Sequence, residues 1–401
     1  MRAAITNTSD KTGRLRIVLV FHLAEVTGPA LTLLPRARRL AEREELSVVF
    51  PGEGTAELLY SPFARTSTAR YVALTIPRSP WAAFCWLGRF ARETARFLRL
   101  FRSEKPDVVV VVTTVLPSAL LAARLTGRRA VVYAAEVYDP PEAGRLKRIL
   151  GRALCRYVGL LGNVVANSAR VASQFPHARH LTVITPTASS DFAGGNPKPF
   201  RAQPALADAD PLIVSAGNLT FGRGQDVLIR ALVLVRHALP RAHCVIAGAP
   251  HPRAGDQAYA DSLQALVEEL ELTDAVTFTG FIKNVADLYA AADMVVNPVR
   301  FPESFGRVAL EALVAGRPFI GSLVGAIPDV VRDEVDGLLV EPDDPDRLAA
   351  AIIRIARDDE LRKKLVAQGQ QRVRETFDEE RATSEFVDFV YSAAVRKQRD
   401  R

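Results

Sequence analysis

The sequence predicts an α/β protein made of two consecutive doubly wound domains, each a parallel sheet with helices on both faces. Three observations predict it. Short runs rich in Val and Ile recur along the 401 residues, the runs are nearly continuous rather than alternating, and helical stretches separate them. A strand covered on both faces has no wet side, so its sequence loses the period-two alternation of a half-exposed strand. Two successive strand–helix series then imply two Rossmann-like units.

The first series places strands at residues 15–21, 46–50, 107–113, 129–134, 163–167 and 181–185. The second places them at 212–216, 242–247, 275–279, 294–297, 318–321 and 337–340, with helical patterns such as 226–237 and 259–270 between them. Residues 186–211 hold five prolines and two glycines, which is linker composition. The boundary is therefore expected near residue 200, giving domains over 1–200 and 201–380. The remaining segment reads as a helix with a basic tail.

Bulk composition narrows the function. With 48% hydrophobic and 24% charged residues, both halves can bury a core. The cysteines, Cys85, Cys155 and Cys244, are too few and too dispersed for a disulfide framework or a thiolate metal site, which predicts a reducing, cytoplasmic compartment. The first sixteen residues lack the apolar core of a signal peptide, and no uncharged apolar run is long enough to span a bilayer. Zinc-ligand spacing, a Walker loop and a GxSxG elbow are missing too. Residues 1–200 carry 28 Lys and Arg against 14 Asp and Glu, whereas the rest carries 24 against 31. A basic half joined to an acidic half implies that one half faces an anionic surface, or else that its basic residues are scattered in solvent. Within the basic half, residues 81–102 put Trp86, Phe90, Phe97 and Phe101 near one helical stripe and five arginines over much of the remainder. Such a helix suits a membrane interface; the strand that follows directly favours a helix covering the sheet, and both can hold.

The chemistry concentrates in residues 293–337. A strand ending at Asn297 and Pro298 feeds a loop, Val299-Arg300-Phe301-Pro302-Glu303-Ser304-Phe305-Gly306. A helix then opens at Arg307-Val308-Ala309-Leu310-Glu311 and ends before Gly316 and Pro318. A glycine-containing turn into a helix aims backbone N–H groups and a positive dipole end at a ligand, and a pyrophosphate is the natural guest. Gly306 lets the backbone come close. Glu303 can accept hydrogen bonds from hydroxyls, or it can serve its own helix start. Glu311, on an otherwise apolar helix, needs a ribose diol or a cation, unless it is simply exposed.

These residues resemble the retaining GT-B glycosyltransferases of family four, whose Glu-x7-Glu motif reads here as Glu303-SFGRVAL-Glu311. The resemblance continues through Gly316-Arg317-Pro318, Gly325-Ala326-Ile327-Pro328-Asp329 and Asp336-Gly337-Leu338. Upstream it takes in Gly280-Phe281-Ile282, Leu288-Tyr289, Gly217-Asn218-Leu219 and Arg223-Gly224-Gln225, so that residues 212–380 are covered in order. It implies two domains facing each other across a cleft, and a C-terminal helix, 381–401, crossing back to the first. It also implies a nucleoside-diphosphate sugar as donor, no cofactor and no metal. By that likeness Glu303 holds hydroxyls of the donor sugar and Glu311 the ribose. The amides near Arg307 and Val308, with Ser304, Phe305 and Gly306 beside them, meet the diphosphate. Arg223 stands where a lysine is usual and pairs with the leaving phosphates, with Gly217 and Asn218 in the same loop. Phe281 and Ile282 flank the base. In the first half the likeness is looser. It rests on Thr27-Gly28-Pro29, where Gly28 would let the diphosphate approach, and on Ala166-Asn167-Ser168.

The chain departs from the family twice. Asn218 stands where an arginine is usual, and the first half has no histidine between His22 and His177. Glu136, at a strand's C-terminal end, is the polar candidate for the missing histidine's place, or else a loop carboxylate in solvent. Asp343-Asp344-Pro345-Asp346 reads as a helix cap, and His22 as a packed histidine. The expected activity is retaining sugar transfer to a lipid-linked or glycan hydroxyl at the inner membrane surface, without nucleic acid. A nucleotide-sugar epimerase and a degenerate nucleotide-sugar binder are the alternatives.

Overall fold

The computed structural model describes residues 13–74, 80–138, 144–188, 190–250 and 255–395, so the first twelve residues and the basic tail lie outside the described residues. The chain divides into two compact units, one of residues 1–186 with 379–401 and one of residues 187–378.

The first unit is a parallel sheet of β1 (Arg16–Val20), β2 (Glu45–Phe50), β3 (Arg65–Thr68), β4 (Val108–Val112), β5 (Arg129–Ala134), β6 (Asn163–Ala166) and β7 (Leu181–Val183). Their order is β3-β2-β1-β4-β5-β6-β7. β4 is five consecutive valines, all fully buried. Val108 and Val110 face one core layer and Val109 and Val111 the other, which is why the run does not alternate. β3 is an addition to the six predicted strands. Its sequence, RTST, is polar and partly exposed at the sheet edge, so it lacks the apolar signal that marks the others.

The helix Glu379–Val395 belongs to this first unit, where Phe386, Val387 and Val390 join the core of the sheet. Arg36 helps fasten it. This arginine is 1% exposed, donates to the Thr185 carbonyl at 2.8 Å, and lies near the rings of Tyr133 and Phe386. Arg39 adds a two-pronged bond to Glu380, both contacts 2.8 Å.

The second unit is a parallel sheet of β8 (Leu212–Ala216), β9 (His243–Ala247), β10 (Val276–Gly280), β11 (Met294–Asn297), β12 (Phe319–Ser322) and β13 (Leu338–Val340), ordered β10-β9-β8-β11-β12-β13. Both sheets reverse their strand order once, between β1 and β4 and between β8 and β11. Loops after those strands diverge and leave a crevice at the strands' C-terminal edge.

The Pro- and Gly-containing stretch after Pro186 is folded onto the second unit, and this moves the division from residue 200 to residue 186. Phe192 stacks obliquely on Tyr289, Gly195 packs backbone to backbone against Ala286, and Arg201 donates to the Ala291 and Ala209 carbonyls and to Asp293. A wrapping segment needs the same turn-forming residues as a free linker, so composition alone does not separate the two.

The helix Pro80–Glu104 covers the sheet with its second half and leaves large apolar side chains exposed on its first. Phe97 and Phe101 are buried in the sheet's core, whereas Trp81, Phe84 and Leu87 are 73%, 69% and 62% exposed. No described helix is long and apolar enough to cross a membrane. Cys85, Cys155 and Cys244 form no disulfide among the described residues.

Candidate functional site

The C-terminal edge of the second sheet collects the residues of the Glu-x7-Glu segment. β11 ends in Asn297, which is 2% exposed, and the chain turns through a loop to Gly306. Gly306 adopts φ +97°, a left-handed conformation that a side chain would strain, and it opens the helix Arg307–Val314. No side chain caps this helix start, so its first-turn amides are placed to donate outward.

Glu303 is held from three directions. Arg223 donates to one carboxylate oxygen at 2.5 Å and the Asn297 amide to the other at 3.2 Å. The turn at Gly325 and Ala326 supports its backbone, with the Ala326 N–H donating to the Glu303 carbonyl at 3.0 Å. A carboxylate spent on its own helix start would point elsewhere. This one faces the loop after β8.

That loop is positioned by two glycines. Gly248 lies so close to the Gly217 carbonyl, and Gly224 to the Pro298 carbonyl, that a Cβ on either would stand about 2 Å from the oxygen. Gly224 also holds φ +67° and begins the helix Gln225–Ala238. Arg223, immediately before it, lies against Gly217. Asn218 is exposed, and its carbonyl accepts from buried Gln225 at 3.1 Å.

Glu311 is not an exposed glutamate, and its partner in this structure is a cation. Arg307, one turn earlier, donates to it at 3.0 Å, and the carboxylate side chain is 13% exposed. Burial raises its carboxyl above the ordinary range, although Arg307 acts in the opposite direction. The buried Tyr289 hydroxyl faces the same group without closing a hydrogen bond to it.

The other donor-side residues divide. Phe281 is 81% exposed beside half-buried Ile282. Ser304 is half-buried, while Val308 is buried. Phe305 is 3% exposed and packs edge-on against Phe377, so its side chain braces the loop and leaves only its backbone for a ligand.

Arg300 carries no role in the sequence-based expectations, yet it ties the two site loops together. It grips Asp226 with bonds of 2.7 and 2.6 Å, reaches Asp343 and the Phe221 carbonyl, and lies 4.3 Å from the Phe221 ring centroid. Burial would raise the Asp226 carboxyl, but hydrogen bonds from Arg300 and Tyr259 outweigh it and hold the carboxyl below its ordinary value. The pair is 74 residues apart in sequence, so no local pattern announces it. Asp344 caps the next helix through the Arg347 N–H at 2.9 Å, as expected. No group of three or more metal-ligating side chains occurs among the described residues.

In the first unit, Gly28 begins a helix capped by the Thr27 side chain. His22 is half-buried after β1, and burial lowers its pKa. Glu136 departs from the solvent-loop alternative. One of its oxygens accepts from the Thr114 N–H at 3.1 Å, the Thr114 hydroxyl at 2.8 Å and the Ala135 N–H at 3.3 Å. Thr114 also meets the Tyr138 hydroxyl at 2.6 Å, and neighbouring Thr113 holds φ +76°. Such a conformation costs on the order of 1–3 kcal/mol in a residue with a side chain and tends to collect at functional edges.

Burial raises the Glu136 carboxyl, and the hydrogen bonds only partly offset it. An acid whose folded pKa is raised contributes stability below its unfolded pKa near 4.5 and loses it as pH climbs through the folded value. Glu136→Gln is therefore expected to gain melting temperature relative to the parent as pH rises from about 4.5 to 8. The relative gain is a few degrees, since ~1 kcal/mol moves a melt by about 2–4 °C at this size. A pH-independent difference between the two melts would refute it.

Residues 197–372 match the family model of the group 1 glycosyl transferases. Among relatives, an uncharacterised glycosyltransferase of Methanocaldococcus jannaschii is 35% identical over 200 residues, covering 49% of this chain and 48% of that protein. A D-inositol 3-phosphate glycosyltransferase of Mycolicibacterium vanbaalenii is 36% identical over 177 residues, covering 42% and 38%. The match therefore spans less than half the length of either relative. In fold the chain is similar to Anabaena HepE, solved in complex with UDP. The TM-score is 0.79 at 21% identity, over 94% of this chain and all of that one. The same protein with UDP-glucose gives 0.77.

Proposed function

With residues 197–372 a group 1 glycosyl transferase domain and the two-sheet fold that of the GT-B enzymes, we propose that the chain is a retaining transferase. It moves a sugar from a nucleoside-diphosphate donor to a hydroxyl of a lipid-linked or glycan acceptor, in cell-surface glycan or glycolipid assembly, without a metal or cofactor. One observation carries this: Glu303 is pinned between Arg223, Asn297 and the Gly325 turn, beside the uncapped helix start at Gly306. The relative with UDP-glucose supports the donor class.

In this mechanism the diphosphate lies against the amides of Arg307 and Val308. Arg223 exchanges its carboxylate for phosphate oxygens, which frees Glu303 to accept hydrogen bonds from sugar hydroxyls. Arginine fits that exchange because its planar fork serves carboxylate and phosphate alike. The bond from the anomeric carbon to the diphosphate breaks as the acceptor oxygen bonds that carbon on the same face, and the acceptor's hydroxyl proton passes to the departing diphosphate oxygen. Charge growing on the leaving group meets Arg223 and the helix start, which need no reorientation at that moment. Glu311 holds the ribose once Arg307 releases it. The acceptor belongs to the first unit, near Glu136, with the protein working peripherally at the cytoplasmic membrane face.

A thermal-shift screen against UDP-, GDP- and ADP-sugars tests the donor. A ligand at a hundred times its Kd stabilises by about 2.7 kcal/mol, and a flat response to all three would end the proposal. Glu311→Ala is expected to weaken binding of the selected nucleotide about tenfold or more, because a hydrogen bond to a charged group contributes about 1.5–3 kcal/mol. Titration calorimetry giving an unchanged Kd would remove Glu311 from the ribose site.

A further inference from the structure

We propose that the first unit docks on an anionic lipid bilayer through the N-terminal halves of two helices that cover the same face of its sheet, Pro80–Glu104 and Arg145–Leu161. The inference deepens the membrane clause of the proposed function by assigning it a surface.

The helix Pro80–Glu104 changes character along its length. Its second half is anchored in the core by Phe97 and Phe101, 1% and 0% exposed. Its first half leaves Trp81, Phe84 and Leu87 mostly in solvent, with the Trp81 and Phe84 rings stacked at 5.9 Å. Helix Arg145–Leu161 adds Ile149, which is 53% exposed. The ring of Phe90 meets that of Tyr157 edge-on at 6.4 Å, and both helices pack against the short helix Pro117–Leu125. Each leads into a strand of the same parallel sheet, β4 and β6, so they run in the same direction. Counting two turns back along each helix from that ring contact puts Ile149 level with Trp81 and Phe84. Trp81, Phe84 and Leu87 form an apolar tip on the first helix, and Ile149 adds an exposed apolar side chain on the second.

Basic side chains surround the tip. Arg89 and Arg92 are exposed on the first helix, and Arg145, Arg148 and Arg152 on the second. Arg89, Arg145, Arg148 and Arg152 form no ion pair among the described residues, and Arg145–Leu161 contains no acidic residue. The carboxylate nearest the patch on the first helix, Glu93, is 1% exposed and bound to Arg96 at 2.8 Å. Large apolar side chains projecting between exposed arginines match the depth profile of a bilayer. Aromatics seat at the headgroup boundary, and guanidinium groups pair with phosphates. The surplus of basic residues in 1–200 adds attraction at longer range. The second helix is the element that follows β5 in the chain, and the C-terminal end of β5 leads into Glu136 with its partner Thr114. A docked bilayer would present lipid-borne hydroxyls at that edge.

The test sediments the full chain with phosphatidylcholine vesicles, with and without phosphatidylglycerol, in the absence of any nucleotide sugar. Binding is expected to the anionic vesicles alone, to fall with salt, and to blue-shift tryptophan emission. The triple variant Trp81→Ser, Phe84→Ser, Leu87→Ser keeps every charge and should lose at least about tenfold in partitioning. Arg145→Glu with Arg148→Glu should lose a comparable factor. All substitutions fall on exposed side chains, and melts confirm the fold. Three results would each overturn the proposal. The parent could ignore anionic vesicles. The triple variant could bind as well as the parent, leaving only cationic adsorption. The parent could self-associate through this patch without lipid while the triple variant stays monomeric. None of them depends on the donor site, whose thermal-shift screen stands or falls separately.

Discussion

Glu303→Ala is expected to cut turnover by at least about a hundredfold, the scale seen when one preorganised group facing a transition state is removed, with little change in melting temperature. The asymmetry follows from where the pair sits. Arg223 is 31% exposed, so losing its carboxylate partner leaves a cation that water can reach, and the cost of a buried unpaired charge is avoided. The chemistry has no such substitute, because among the described residues no other carboxylate bonds Asn297 and Arg223 at once. The loss should fall mainly in kcat, as for an interaction that strengthens in the transition state. Glu303→Gln should retain more activity than alanine, since the amide still offers an acceptor to a sugar hydroxyl. Arg223→Ala should be impaired too. If the two residues act as a unit, the double variant will cost much less than the product of the single losses. Steady-state kinetics with the donor chosen by the thermal-shift screen decides this. A Glu303→Ala enzyme keeping a tenth or more of the parent's turnover would remove that residue from the chemistry.

Much of the fold is legible because the sheets are parallel and doubly covered. Five valines at 108–112 can only be a buried strand. What stays hidden is whatever depends on partners distant in sequence. β3 is polar because it is an edge, and an edge strand looks like a loop until its neighbour, β2, is known. Residues 187–211 pass for a linker until Phe192 and Arg201 are seen against the second sheet. In the site, the uncapped glycine turn and the two glutamates are readable from spacing. So in principle is the Arg307–Glu311 pair, since positions four apart share a helix face. Arg300 with Asp226 is not, and neither is the enclosure of Glu136, whose Thr114 partner lies 22 residues earlier on a different strand end.

Gly325→Ala is expected to damage the site more than the fold, and it separates a strained turn from a functional one. Gly325 holds φ +64°, and a Cβ there would stand 2.5 Å from the Glu303 nitrogen and 2.6 Å from its carbonyl oxygen. Both obstacles are backbone, so no rotamer change relieves the overlap. The turn must move, and it carries the Ala326–Glu303 hydrogen bond with it. Strain and overlap together should cost on the order of 1–3 kcal/mol of stability. Turnover should fall further, by about a hundredfold, because a misplacement of an ångström at a positioned group has that effect. Gly127→Ala supplies the comparison. Its φ is +70°, yet a Cβ would meet nothing within 4 Å, so it carries the left-handed strain of about 1–2 kcal/mol without the collision. It should lower the melting temperature and leave turnover and the sugar-dependent thermal shift intact. Equal effects of the two variants on turnover would mean that the Gly325 turn merely closes the backbone and that Glu303 does not depend on it for its position.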